Sequence, residues 1–419
     1  MGAFLLLSAS LVAAAEKDTT SMACDLCDGM IAKMGGDPTQ PFILRSFEPA
    51  NGGSALHPAL ENTGFTYDNA VAMIALSGCN RIAEARRIAD ALVMAVETDR
   101  YYHDGRLRNA YRSGPVEGGK DGMLLPGYWN AAANSWAEDG YQVGSATGST
   151  AWGALALLMV YHRTNQQIYL DTAMKIMDWI DRETADAKKS GYFGGFFGHE
   201  PSPQPATWKS TEHNLDVYAV NSWLATVDPS GDWKRRGEAA LNFLEEMWDK
   251  HEGRFYIGSV ENSNAPNLSA SGLDAELWPL IAVPAFAEKR AAVLAWTEEN
   301  HGVEGGFDFN DDRDGIWLEG TAQAALVYRE NDQPDKAGIL LETIASQMNG
   351  DKLVYATIDE ELTTGLQVGP NSSPGDFKYF RLPHIGATGW AVLAALKLNP
   401  FIAPSTATGG NEDPCRQKS

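Results

Sequence analysis

Residues 149–161 run STAWGALALLMVY, two polar residues followed by small and apolar side chains on every face of a helix. A surface helix keeps a polar stripe, so a helix that is apolar all round belongs inside a structure. The same form returns at Thr66 (TYDNAVAMIAL), Thr211 (TEHNLDVYAVNSWL), Gly272 (GLDAELWPLIAV), Trp317 (WLEGTAQAALVY) and Ala387 (ATGWAVLAALKL). Repetition of one supersecondary unit decides the architecture of a chain before any single element does. The first five segments are each followed by a more charged, amphipathic stretch: Arg81 to Glu97, Gln167 to Asp181, Trp233 to Asp249, Phe286 to Glu299 and Pro334 to Met348. The sixth runs into Asn399-Pro400 and a tail rich in Ser, Thr, Gly and Pro, so Ser21 to Met34 is left to supply its partner. Six inner and six outer helices predict an all-α (α/α)6 toroid, with inner helices around a central cavity. Residues 16–401 then form one domain, and 402–419 a flexible tail.

Inner starts fall 83, 62, 61, 45 and 70 residues apart, too irregular for an ordinary solenoid. The excess lies in two long stretches, Tyr101 to Ala146 and Ser190 to Ser210, rich in Gly and aromatics and without helical periodicity. Loops of that length in a compact domain are functional or disordered, and their aromatics argue for function.

The 419 residues carry 33 basic and 55 acidic side chains, a net charge of −22 that disfavours nucleic acid or an anionic membrane surface as partner. Phe4 to Ala15 (FLLLSASLVAAA) has the apolar run and small-residue end of a secretory signal, although nothing basic precedes it. Residues 1–15 are therefore read as a signal-peptide remnant, and the mature protein as exported, periplasmic or extracellular, without a membrane segment. Cys24 and Cys27 form a C-x-x-C with neither the strand–helix context of a redox motif nor the partners of a zinc site. One optional disulfide, or plain packing, is the expectation.

In order along the chain, TYDNAVAMIAL, STAWGALALL, WKSTEHNLDVYA, WLEGTAQAAL and GATGWAVLAALKLNPF resemble a bacterial group of six-hairpin, (α/α)6-toroid proteins in the glycosidase-like superfamily. The likeness covers roughly Thr66 to Phe401. That superfamily holds glycoside hydrolases, polysaccharide lyases and sugar epimerases, so the resemblance implies carbohydrate chemistry without naming the sugar.

Acidic residues at the entries of inner helices converge on the cavity of such a ring. Asp68, Glu212 and Glu319 fit. Glycoside hydrolysis needs one protonated carboxyl group for the leaving oxygen and one ionised to activate water or attack the anomeric carbon. Glu212 follows the second long loop, where apolar walls would raise its pKa, and is the expected general acid. Asp216, one turn deeper on the same face, would orient Glu212 or bind a sugar hydroxyl. Glu319, flanked by Trp317 and by Gly320, which leaves room for a ligand, is the first choice for base or nucleophile, and Asp68 the second. Asp139, on the first long loop, is a further candidate. Tyr67, Trp152, Trp208, Trp317 and Trp390 stand at or near inner-helix starts as aromatic platforms for a sugar ring, with His213 and Asp216 supplying polar contacts.

Asp308, Asn310, Asp312 and Glu319 match positions 1, 3, 5 and 12 of an EF-hand loop, but position 6 is Arg313 where the turn calls for glycine, so no metal is expected. No phosphate-binding, zinc-protease, serine-esterase or dinucleotide motif occurs, and no organic cofactor is expected. His213 and His384 resemble the histidine acid/base pairs of epimerases on this fold. The leading expectation is a glycoside hydrolase acting on an oligo- or polysaccharide. The alternatives are a polysaccharide lyase or sugar epimerase, and a carbohydrate-binding protein without catalysis.

Overall fold

The structure, a computed structural model, describes residues 19–50, 56–117, 122–370, 372–373, 375, 377–404 and 413–416. Twelve α-helices account for most of the regular secondary structure among them. The inner set is α2 (Thr66–Gly78), α4 (Thr147–Thr164), α6 (Thr211–Val227), α8 (Leu273–Ala282), α10 (Leu318–Glu330) and α12 (Ile385–Leu396). The outer set is α1 (19–32), α3 (Ile82–Glu97), α5 (Gln167–Thr184), α7 (Trp233–Glu246), α9 (Arg290–Asn300) and α11 (Pro334–Ser346). Each inner helix packs on the next, and α12 packs back on α2, so the inner helices close a circuit. Number and order are consistent with the helical toroid expected from the sequence.

The two sets differ as their composition requires. In α10 every residue from Leu318 to Tyr328 is buried, and in α12 every residue from Ile385 to Ala395. The outer α7 buries only Trp233, Gly237, Ala240, Phe243 and Leu244, one stripe at helical spacing that faces its inner partner. Each large apolar side chain so covered contributes about 1.5–3 kcal/mol.

One register sets the depth of the core. Trp152, Trp278 and Trp390 each stand five residues past the first residue of α4, α8 and α12, a descent of roughly 7.5 Å. From alternate helices they meet across the ring, Trp152 to Trp278 at 5.5 Å, Trp278 to Trp390 at 5.6 Å and Trp152 to Trp390 at 5.8 Å between ring centroids. Phe401, from the segment after α12, packs against all three. The centre of the ring is thus plugged, and any opening lies on the side of the helix starts.

Tight turns with Asn80, Asn165 and Asp332 at positive φ join α2–α3, α4–α5 and α10–α11. The links from outer to inner helices are long and carry the β-structure. In the first, Tyr128–Asn130 pairs with Ser135–Ala137. The second supplies Gly195–Phe197 and Gln204–Ala206, which form a three-stranded sheet with Ser145–Ala146. Buried Arg108 ties the two links together, through Asp99 at 2.6 Å and Glu200 at 3.2 Å.

The cysteine expectation needs correction. Cys24 pairs with Cys415 and Cys27 with Cys79, so the C-x-x-C spans one turn of α1 and both thiols are joined to distant partners. Cys27–Cys79 joins α1 to the end of α2, while Cys24–Cys415 brings residues 413–416 of the tail against α1. Residues 1–15, read as a signal remnant, lie outside the described residues, as does most of the tail. No helix among the described residues is long and apolar enough to cross a membrane.

Candidate active site

First turns of the inner helices converge at the open end of the ring and bring acids with them. Asp68 stands two residues past the start of α2. Glu212, Asp274 and Glu319 stand one past the starts of α6, α8 and α10. His384 is the N-cap of α12, its Nδ1 accepting from the Ala387 backbone N–H at 3.3 Å.

His384 links two of the carboxyl groups. Its Nε2 lies 3.2 Å from Asp68 Oδ2 and its Nδ1 3.6 Å from Glu319 Oε2, with all three side chains buried. With Nδ1 accepting from Ala387, the neutral ring carries its proton on Nε2 and donates it to Asp68. Burial alone would lower the His384 pKa, but Asp68, by charge and hydrogen bond, and then Glu319 outweigh it and raise the value. Phe47 stacks on the imidazole at 4.3 Å and fixes its plane. A Cβ on Gly386 would sit 2.8 Å from Asp68 Oδ1 and 2.8 Å from Glu319 Oε2, so only glycine leaves these two oxygens their shared space.

A second chain of hydrogen bonds holds the far side of Glu319. Trp390 Nε1 donates to Tyr67 Oη at 2.7 Å, and Tyr67 Oη donates to Glu319 Oε1 at 2.6 Å. Burial dominates the Glu319 pKa and, with the charges of Asp68 and Asp274, pushes it up to about 8 against the lowering effects of His384 and Tyr67. Glu212 is half-buried yet crowded enough that desolvation, followed by Asp274 and Glu319, raises it well above the usual carboxyl range. Asp274 is pushed up to about 7 by burial. Asp216, a turn below Glu212, is raised by burial, then by Glu212 and Asp274. Asp274 Oδ1 and Glu319 Oε2 are buried and find no donor among the described residues, while buried Asp216 has the Trp152 indole N–H beside it. Unpaired buried acceptors of this kind are supplied with donors by water or a ligand.

The structure brings Tyr67, Asp68, Glu212, Asp216 and Glu319 together, as the sequence suggested. The tryptophans divide. Trp208 is 37% exposed, lies over Gly194 and stands 5.5 Å from His213, so its face is open. Trp152 and Trp390 are completely buried in the floor, and Trp317 lies under Tyr379 and Phe309; none of the three offers a face to a sugar. The space that Gly320 leaves is filled by the Trp317 ring, not kept for a ligand. Asp139 is spent on its own loop, accepting from the backbone N–H groups of Tyr141 and Gln142. His213 packs against Gly148 of α4, its pKa pushed down to about 4 by burial, and no carboxylate acts on it as Asp68 and Glu319 act on His384.

Asp274, Tyr141 and Tyr379 are additions that sequence reasoning missed. Asp274 carried a usable signal, since it occupies the same first-turn position as the other acids. Both tyrosines come from loops. Burial, then the carboxylates around them, raises their pKa values and keeps the phenols protonated, Tyr141 beside Glu212 and Asp68, Tyr379 beside Glu319, Asp274 and Asp68. Lys209, next to Glu212 in sequence, is turned away and satisfied by Asp186, Ser190 and Asn264. Among the described residues, His384 is the basic group whose charge lowers the Glu319 pKa.

No protein-family model matches the chain, and no curated protein sequence does. Solved structures match over almost the whole length. A glycosidase in complex with glucose aligns at TM-score 0.57 and 13% identity, covering 93% of this chain and 99% of its own. A sugar epimerase from a ruminal bacterium aligns at 0.61 and 11%, covering 90% and 98%. The cellobiose 2-epimerase of Bacillus thermoamylovorans aligns at 0.60 and 11%, covering 87% and 95%. At these identities the likeness is one of fold alone.

Proposed function

We propose that the protein is a carbohydrate-active enzyme on an (α/α)6 toroid, and that it hydrolyses a glycosidic bond in an oligo- or polysaccharide. The observation that carries this reading is the convergence of four first-turn acids at one end of the ring, with buried oxygens of Asp274 and Glu319 left without protein donors, because sugar hydroxyls are donors. Glu212, with its raised pKa, delivers a proton to the leaving oxygen as the C–O bond breaks. Asp68, the carboxylate that raises His384, is suited to take a proton from the attacking water. Glu319, protonated near neutral pH and positioned by Tyr67, donates to a substrate hydroxyl rather than serving as the base expected from the sequence. A neutral glucose-type sugar fits an acid-rich site with one basic partner better than a uronate does, which disfavours a lyase. Two disulfides support export, since such bonds persist in oxidising compartments.

The test is incubation with α- and β-linked neutral glycans, following new reducing ends. Glu212→Gln should lower kcat by about 10²–10⁴-fold, the usual worth of a general acid, with little change in Tm. Full activity in a folded variant would remove Glu212 from the mechanism. Epimerisation is the second reading, favoured by the two solved epimerases of this fold and by His384 as a base. It would exchange solvent deuterium into a reducing disaccharide without forming new reducing ends.

A further inference from the structure

Three of the first-turn acids are more covered than their place at the open end of the ring accounts for. Asp68 is 3% exposed, Glu319 1% and Asp274 8%, while Glu212 alone of the four is half-buried. The cover comes from the long links. In the strand Gly195–Phe197, alternation sends Phe196 toward Trp179 of α5, at 6.2 Å between ring centroids, and Phe197 the opposite way. There the Phe197 ring lies against two glycines: a Cβ on Gly140 would meet it at 3.0 Å, and a Cβ on Gly369 at 2.4 Å. Gly140 belongs to the link that enters α4, Phe197 to the link that enters α6, and Gly369 to the link that enters α12. In a closed circuit of six inner helices α6 and α12 stand opposite one another, so the contact between Phe197 and Gly369 spans the mouth.

One side of this bridge is walled. The Gly198 N–H donates to the Gly140 carbonyl at 2.9 Å and joins the links that enter α6 and α4. Tyr141, the next residue, packs its ring on Phe65 at the start of α2, at 6.2 Å between centroids, and its hydroxyl reaches Ser149 of α4. The start of α2, which carries Asp68, is thereby shut off from the rim. The opening is left beside Glu212, where exposed Trp208 stands four residues earlier in the same link.

We propose that the bridge through Phe197 makes the site a blind pocket for the non-reducing end of a neutral glycan, so that the enzyme releases one terminal sugar at a time and does not cut within a chain. The inference rests on the hydrolase reading above and adds the form of the substrate to it. A sugar held between Asp68 and Glu212 lies beneath the bridge, and the walled side leaves no passage for a further residue toward α2 and α4. The rest of the glycan leaves past Glu212, with Trp208 as its platform. The bond that breaks joins the enclosed residue to the next. Its oxygen takes the Glu212 proton and departs with the chain, and the anomeric carbon takes the hydroxyl of the water whose proton goes to Asp68.

The test uses the full-length protein with α- and β-linked gluco-oligosaccharides from disaccharide to hexasaccharide, the same compounds blocked by a benzylidene acetal on the non-reducing residue, and cyclic glucans, which have no end. Glucose should be the first product at every length, with blocked and cyclic compounds cleaved at least about a hundredfold more slowly. Phe197→Ala, at a half-buried position, should narrow that difference at least about tenfold, and Phe197→Leu should keep the wild-type pattern. Internal cleavage from the outset, or a product pattern that Phe197→Ala leaves unchanged, would overturn the proposal. If no compound is cleaved, the hydrolase reading fails by itself and calorimetry judges the pocket. Unblocked disaccharides binding at least about tenfold tighter than blocked ones would sustain it, and equal binding or none would overturn it.

Discussion

Glu319→Gln should change how stability depends on pH. The Glu319 side chain is 2% exposed, and its pKa rises from an ordinary 4.5 to about 8. Between those values the unfolded chain has released a proton that the folded chain keeps, so stability falls as pH rises, by about 1.4 kcal/mol per pH unit for one such group. Below 4.5 both states hold the proton, and above 8 neither does, so the loss is confined to that window. Acting alone, the group would account for roughly 5 kcal/mol across it. Asp274 and His384 titrate beside it, and the share left to Glu319 is on the order of 2–3 kcal/mol. Glutamine keeps the acceptor that Tyr67 needs and cannot ionise. Urea unfolding at pH 5, 6, 7 and 8 should therefore find the variant gaining on the wild type by that amount as pH rises. Asp274, pushed up to about 7, leaves a residual slope in both proteins. Parallel curves would refute the idea that burial holds Glu319 protonated.

Gly386→Ala should act on the site more than on the fold: the new methyl meets Asp68, Glu319 and His384 at 2.8 Å, while alanine favours the helix by up to about 1 kcal/mol. A fall of at least about tenfold in kcat/KM, with Tm changed by only a few degrees, is expected, about 1.4 kcal/mol in the transition state. Trp208→Ala should raise KM about tenfold and leave kcat within about twofold, since one open aromatic face is worth roughly 0.5–1.5 kcal/mol and touches no reacting atom. Unchanged KM would remove Trp208 from substrate binding.

The architecture was legible because two kinds of helix differ in composition, not only in position. STAWGALALLMVY cannot be a surface helix, and the stripe through Trp233, Gly237, Ala240 and Leu244 cannot be a central one. The acids were legible for a related reason, since residues one or two past a helix start face whatever the starts surround. Asp274, one residue past the start of α8, obeys the same rule. The tryptophans were misjudged because distance along a helix is depth: five residues carry Trp152 and Trp390 below the level at which a ligand is met. Loop contributions such as Tyr141 and Tyr379 were not legible, because the long links fold as short hairpins whose direction no helical period encodes.

The same register explains why this ring can hold acids at its mouth and still fold. At the fifth residue past each start, α4, α8 and α12 supply tryptophan, while α2, α6 and α10 supply Val71, Asp216 and Gln323. Large and small alternate around the circuit, so three indoles fill the centre without colliding, and their mutual packing is worth about 0.5–1.5 kcal/mol per pair beyond burial. Of the smaller positions, Gln323 on α10 carries an amide without a partner among the described residues, and Asp216 on α6 has the Trp152 indole N–H beside it. Leaving such atoms unpaired costs about 1–3 kcal/mol each, and the apolar floor is what lets the fold tolerate them. At the fifth residue past each start, the charged or amide side chains stand on α6 and α10, the helices of Glu212 and Glu319. Polar groups therefore lie beneath those two acids, while the floor opposite them is the buried indole cluster, which presents no face to the mouth.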